Sequence, residues 1–133
     1  MKPIILTFLL ALSPMLSAAE LSPEQVEGAT TVDTAKAKEL FEQGVTFVDV
    51  RRTNEYEEAR IPGAVGLELK HDFNEESLAK VVDKNDPVVF YCNGHKCLRS
   101  SKASAKAVGW GWTKVYYYRD GMPAWQAAGM PVE

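Results

Sequence analysis

Cysteine and histidine are scarce in this chain, whose 133 residues include only two of each. Cys92 and Cys97 lie five positions apart, so they cannot cross-link distant parts of a small domain and the hydrophobic core must hold the fold. Two scattered histidines give no zinc-ligand pattern, and no histidine directly follows Cys97, which removes haem attachment. We therefore predict no metal ion and no organic cofactor.

An excess of basic residues is also lacking, because 15 lysines and arginines stand against 18 acidic residues and give a formal net charge of −3. This balance argues against nonspecific nucleic-acid binding. No second long apolar run follows the first twenty residues. The mature protein is therefore predicted to bind neither nucleic acid nor membrane.

The first 19 residues have the layout of a secretory signal peptide. Lys2 precedes an apolar run from Ile4 to Leu12, and the small residues Ser17, Ala18 and Ala19 stand before Glu20. This pattern predicts cleavage after Ala19 and a periplasmic or secreted protein. Residues 20–30 are polar and are predicted to form a flexible lead-in, which leaves residues 31–133 as one domain.

Apolar β-type runs alternate with helix-like segments along that domain, which indicates an α/β fold with a mainly parallel sheet. Strands are predicted at residues 31–32, 45–50, 64–69, 88–91 and 115–118. Helices are predicted from Thr34 as N-cap to about residue 43, after Asn54 as N-cap through residue 59, at 75–81 after Asn74, at 100–108 before Gly109, and at 123–128 after a turn at Asp120 and Gly121.

The most informative stretch is the loop after the fourth of these strands. The apolar run Val88–Tyr91 stops at Cys92, and a short polar, cationic loop leads to a helix starting near Ser100. Loop amides and a helix N-terminus can converge there on an anion. A cysteine in that position is expected to lose its proton readily, which predicts nucleophilic sulfur chemistry at Cys92.

Three motifs in order resemble the rhodanese-like family of sulfurtransferase domains: DVRRTNEYEEARIPGAVGLEL, VVFYC followed by a loop and RSSKAS, and GWTKVYYYRDGMPAWQAAGMPVE. The similarity covers about residues 31–133. It implies a five-stranded sheet with helices on both faces. It also implies an active-site cysteine that carries a sulfane sulfur as a persulfide between a donor such as thiosulfate and a thiol or cyanide acceptor.

Matched position by position, Cys92 corresponds to the persulfide cysteine. The family's loop cradles the transferring sulfur or the anionic end of the donor, and it corresponds here to Asn93, Gly94, His95, Lys96, Leu98 and Arg99. Arg99 has two interpretations, as a fork for an oxyanion or as a tie between loop and domain. This extended CNGHKCLRS loop departs from the family because six residues separate Cys92 from Arg99, more than is common. Arg60 replaces the usual histidine before Ile-Pro-Gly.

Cys97, inside the same loop, has two interpretations, as a small residue whose thiol points away from the pocket or as a resolving residue. As a resolving residue it would attack a persulfide or sulfenic acid on Cys92, provided the loop curls tightly enough for a disulfide. The leading hypothesis is an exported sulfurtransferase that acts on small sulfur-containing donors. The alternatives are a thiol-disulfide redox protein with a partner protein, and a non-catalytic binding module of the same fold.

Overall fold

Five parallel strands form one sheet in the order β1-β5-β4-β2-β3, in the computed structural model, which describes residues 2–4 and 20–133. Apart from residues 2–4, the predicted signal peptide lies outside the described residues. The strands are β1 (Ala29–Thr31), β2 (Thr46–Asp49), β3 (Val65–Gly66), β4 (Val88–Tyr91) and β5 (Val115–Tyr118). The helices are α1 (Thr34–Glu42), α2 (Thr53–Glu58), α3 (Glu75–Ala79), α4 (Arg99–Trp110) and α5 (Gly121–Ala127). The predicted fold class is confirmed, and every strand pair is parallel.

The central strand β4 is buried on both faces, and its alternating side chains feed two cores. Val88, Phe90 and Cys92 pack with Ala103 and Ala107 of α4. On the other face, Val89 and Tyr91 pack with α1 and α5 through Leu40 and Trp125. Burial on both faces explains why β4 reads as a continuous apolar run.

Several element boundaries differ from the sequence prediction. The N-cap of α1 is Asp33, which accepts a hydrogen bond from the Lys36 amide at 2.8 Å, so Thr34 is the first helical residue. The second helix already starts at Thr53, which places Asn54 inside it. Gly109 lies within α4, and Gly111 ends that helix with φ +105°, a conformation that favours glycine. The Asp120–Gly121 pair begins α5.

The strand predicted at residues 64–69 is paired only at Val65 and Gly66. The ring of Tyr56 covers Gly66 so closely that a Cβ there would lie 2.9 Å from it. The predicted cap of α3 is confirmed, because the Asn74 side chain accepts from the Ser77 amide at 2.8 Å and the Ser77 hydroxyl accepts from the Asn74 amide at 3.0 Å.

Candidate active site

Cys92 lies at the carboxyl end of β4, where the strand order reverses. The chain leaves β2 toward β3 on one side and leaves β4 toward β5 on the other, and ligand sites in open parallel sheets lie at such reversals. The side chain of Cys92 is only 1% exposed. Its carbonyl accepts a hydrogen bond from the Met122 amide at 2.9 Å, which fastens the start of the loop to α5.

Gly121 is required for that contact. Its φ is +64°, and a Cβ at this position would lie 2.3 Å from the Cys92 carbonyl oxygen. Any other residue would push α5 away from the loop, since both the backbone conformation and the space exclude a side chain. The glycine therefore sets how closely the last helix approaches the cysteine.

The two predicted site cysteines are joined in the structure. Cys92 and Cys97 form a disulfide, with their Cα atoms 6.3 Å apart. The loop curls back because Gly94 adopts φ +99° and its carbonyl accepts from the Cys97 amide at 3.0 Å. The spacing of the two residues alone could not establish this curl, because it depends on the conformation of the four intervening residues.

His95 is fastened on two sides. Its carbonyl accepts two hydrogen bonds from Ser22, at 2.7 Å from the amide and 2.9 Å from the hydroxyl. The His95 Nε2 atom lies 2.6 Å from Oδ1 of Asp120, just before α5. The middle of the loop is thus bound to a segment 73 residues earlier in the chain.

The segment around Ser22 belongs to the packed domain, which differs from the predicted flexible lead-in over residues 20–30. Ser22 is 3% exposed, and its carbonyl accepts from Nη2 of Arg119 at 2.8 Å. The hydroxyl of Tyr117 donates to the carbonyl of Pro23 at 2.8 Å. We define this strap as residues 21–24. Composition gave no signal for it, because its contacts are made mainly by its backbone, with one further hydrogen bond from the Ser22 hydroxyl.

The other predicted loop residues point to different neighbours. The side-chain amide of Asn93 donates to Glu55 on α2, Lys96 is exposed, and Leu98 is partly buried before α4. Nη1 of Arg99 lies 3.7 Å from Oε1 of Glu68, and both side chains are mostly buried. This contact matches the interpretation of Arg99 as a tie between the loop and the domain.

The hydrogen bond from Thr53 lowers the pKa of Glu68, and the charges of His71 and Arg99 lower it further, against a smaller opposing effect of burial.

A depression of about 590 Å³ opens beside Cys97. Four cationic side chains and one acidic side chain are among its lining residues, which are Arg52, Glu55, Lys70, Asn93, Lys96, Cys97, Leu98 and Arg99. A surplus of positive charge favours an anionic ligand.

The N-terminus of α4 adds to this positive electrostatic potential. No side chain caps the helix at Leu98. Within residues 20–133, the amides of Asn93, Gly94, His95 and Lys96 donate to no protein oxygen. Amides without a protein acceptor close to a helix N-terminus favour an anion in their vicinity.

Below the loop, Asp49 and Arg51 form a buried ion pair at the end of β2. Nη2 of Arg51 lies 2.7 Å from Oδ2 of Asp49 and 2.6 Å from the carbonyl of Ala59. Burial lowers the pKa of Arg51, but the hydrogen bond and charge of Asp49 outweigh it and raise that pKa overall. Burial and the neighbouring Asp49 charge raise the pKa of Tyr91, whose hydroxyl accepts from the Ile61 amide at 3.1 Å. These groups support the strand end that carries Cys92.

Arg60, which departs from the family pattern, has a structural role. Its guanidinium stacks on the Tyr56 ring at 4.6 Å from the centroid, and its backbone exchanges two hydrogen bonds with Glu133.

Among residues 2–4 and 20–133, no cluster of three or more histidine, cysteine or acidic side chains is suited to a metal ion. No helix in the same part of the chain is both long and apolar enough to cross a bilayer.

Comparison with known proteins places this geometry in context. Residues 33–128 match the family described as the rhodanese-like domain. The chain is 31% identical over 118 residues to an HTH-type transcriptional regulator from Mycobacterium tuberculosis, a match that covers 89% of this chain and 50% of the regulator. The chain thus spans about half the length of that curated relative.

Solved structures share the fold. The BH2092 protein from Bacillus halodurans superimposes with a TM-score of 0.70 at 28% identity, over 79% of this chain and 77% of that one. The polysulfide-sulfur transferase homodimer from Wolinella succinogenes gives a TM-score of 0.66 at 22% identity, over 80% of this chain and 79% of that one. At the latter identity the likeness concerns the fold alone.

Proposed function

The chain belongs to the rhodanese-like family, and from this membership we propose that it is a sulfurtransferase that carries a sulfane sulfur as a persulfide on Cys92. The observation that supports the proposal most directly is the position of Cys92. In the part of the chain that the structure describes, it is a buried cysteine at the carboxyl end of the central strand, followed by a loop whose first four amides have no protein acceptor and by the start of α4, which no side chain caps. Such surroundings stabilise a thiolate.

The loading step would consume an anionic sulfane donor. The Cys92 thiolate attacks the outer sulfur of thiosulfate, the sulfur–sulfur bond of the donor breaks, and sulfite leaves with its electron pair. The product is the Cys92 persulfide. The cations beside the loop suit a divalent donor, because Lys96, Arg99 and Arg52 offset its charge. Thiosulfate-type activity, with a thiol or cyanide as the final acceptor, is our specific proposal.

The place of action is part of the same proposal. The signal-like residues 1–19 support an exported protein that works in the periplasm or outside the cell. In such a compartment paired thiols tend to oxidise, so we propose that a redox partner protein keeps the cysteine pair in use. A nucleic-acid or membrane partner is not part of this proposal.

Mass spectrometry of single-cysteine variants tests the loading step. Reduced Cys97→Ser protein, treated anaerobically with thiosulfate or polysulfide, is expected to gain one sulfur atom on the peptide that contains Cys92. Cys92→Ser is the matched control, since it keeps Cys97 and the whole cationic depression but lacks the nucleophile. Absence of any gain with either donor would contradict the proposed function.

The disulfide supports a second candidate function, that of a thiol-disulfide redox protein using Cys92 and Cys97. This function requires electron exchange with a dithiol without any sulfane sulfur. Equilibration in glutathione redox buffers measures it. A reduction potential in the range of known oxidoreductases, together with failure of sulfur loading in the Cys97→Ser variant, would favour this function over sulfur transfer.

A further inference from the structure

We propose that Cys97 is an internal acceptor that discharges the Cys92 persulfide as hydrosulfide, and that a small or protein dithiol then resets the pair by attacking Cys97. The inference rests on the proposed persulfide on Cys92 and adds the product, the resolving residue and the chemical class of the reductant. The two cysteine sulfurs are bonded to each other, and the two residues differ in their exposure to solvent.

The first support is the short distance between Cys92 and Cys97. The Cα atoms of the pair are 6.3 Å apart, within the span of about 7 Å that a disulfide needs. The turn from the Gly94 carbonyl to the Cys97 amide brings the chain back, and the Ser22 contacts hold His95 in place. A thiol that forms this disulfide also lies within reach of a persulfide on the same cysteine.

The second support is the difference in solvent exposure between the two cysteines. Cys92 is 1% exposed, whereas Cys97 is partly exposed and borders the cationic depression. An external thiol that approaches from solvent therefore meets Cys97 first. A large acceptor reaches Cys92 poorly, while the internal thiol is already in place. A second cysteine in the loop therefore gives a persulfide on the buried Cys92 an acceptor within reach.

The discharge step balances without an added oxidant. The Cys97 thiolate attacks the inner sulfur of the protonated Cys92 persulfide, and a bond forms between the two cysteine sulfurs. The bond to the outer sulfur breaks, and that sulfur leaves as hydrosulfide with the electron pair and the proton. The sulfane sulfur is reduced to the sulfide level, and the two cysteines supply both electrons by becoming the disulfide that the structure contains.

Resetting the pair requires a reductant of the dithiol class. One thiolate of the dithiol attacks the sulfur of Cys97, which frees Cys92 as a thiolate and leaves a mixed disulfide on Cys97. The second thiol of the reductant then attacks the first sulfur of the reductant in that mixed disulfide. This attack closes a disulfide within the reductant and releases Cys97 as a thiol. Cys92 is the better leaving group, because the loop amides and the start of α4 stabilise its thiolate.

A single-turnover experiment tests the inference. Fully reduced wild-type protein receives one equivalent of thiosulfate without oxygen or added thiol, and free sulfide and intact mass are followed together. The expected result is one sulfide per chain and a product two hydrogens lighter than the reduced protein. Cys97→Ser and Cys97→Ala are expected to keep the extra sulfur and to release at least tenfold less sulfide.

The outcomes separate the inference from the function on which it rests. If the Cys97 variants load sulfur and the wild type also keeps it without releasing sulfide, the internal acceptor is contradicted and the persulfide function stands. If neither variant loads sulfur, the persulfide function itself fails. After turnover, dithiothreitol is added and removed, and a second equivalent of thiosulfate is then expected to give a second burst of sulfide. Absence of this second burst would contradict the resetting step.

Discussion

At the scale of single residues, the ion pair of Asp49 and Arg51 lies buried at the end of β2. Asp49 is fully buried and Arg51 is 6% exposed, so neither charge can return to water without opening the core. We predict that Asp49→Asn lowers the free energy of unfolding by about 3–5 kcal/mol, because it leaves the guanidinium buried with no counter-charge. Urea unfolding of the oxidised protein measures this loss.

The exposed pair of Lys36 and Glu39 is the matched control. Their side chains are 43% and 55% exposed and their charged atoms lie 3.4 Å apart. Glu39→Gln is expected to change the free energy of unfolding by less than about 1 kcal/mol, because solvent already screens that pair. Equal losses in the two variants would show that burial of the Asp49–Arg51 pair has no energetic consequence.

At the scale of elements, the strap of residues 21–24 is predicted to position the active-site loop. Ser22→Ala removes the hydroxyl that donates to the His95 carbonyl at 2.9 Å but keeps the amide that donates to the same atom. Losing one such hydrogen bond costs about 1 kcal/mol, so we expect sulfur loading of Cys92 to slow by about fivefold. Rapid quenching and mass spectrometry in a Cys97→Ser background give the rate.

A neighbouring substitution distinguishes positioning from general stability. Thr31→Val removes a hydrogen bond to the carbonyl of Glu24 at 2.7 Å, which lies at the end of the strap and does not contact the loop. Its loading rate is expected to equal that of the parent protein. If Ser22→Ala and Thr31→Val slow loading to the same extent, the strap stabilises the domain without positioning the loop.

The same scale shows which elements the sequence could predict. The predicted bounds of β4 and β5 are correct because both strands are uninterrupted β-branched or aromatic runs, which end at Cys92 and at Arg119. The short β3 and the early start of α5 are not predicted, since the pairing of β3 with β2 and the close approach of Gly121 to Cys92 decide them. Such boundaries depend on contacts between elements, and the local sequence pattern carries no information about those contacts.

At the scale of the whole molecule, the candidate site could be predicted only where one segment builds it. Cys92, its loop and the following helix are contiguous, so their order alone indicated a nucleophile near a helix N-terminus. The bonds from Ser22 to His95, and from Arg119 to Ser22, join segments 73 and 97 residues apart. Tertiary packing brings these segments together, and no periodicity or motif marks them in advance.

The disulfide is also a feature of limited weight for the whole molecule. It joins residues only five positions apart, whereas the two cores span all five strands. Closing so short a loop is expected to contribute at most about 2 kcal/mol through the entropy of the unfolded chain. We therefore predict that the reduced protein stays folded, with a midpoint in urea only slightly lower than that of the oxidised protein.

Urea titrations with and without reductant, followed by tryptophan fluorescence, measure the difference. The double variant Cys92→Ser with Cys97→Ser is the control, because it lacks the bond under both conditions and its midpoint is expected not to move. A reduced wild-type protein that is unfolded without urea would mean that the loop staples the domain. A small effect of the disulfide on stability is what the proposed reaction cycle requires. A cysteine pair can open and close at every turnover only if the hydrophobic core keeps the domain folded without the bond.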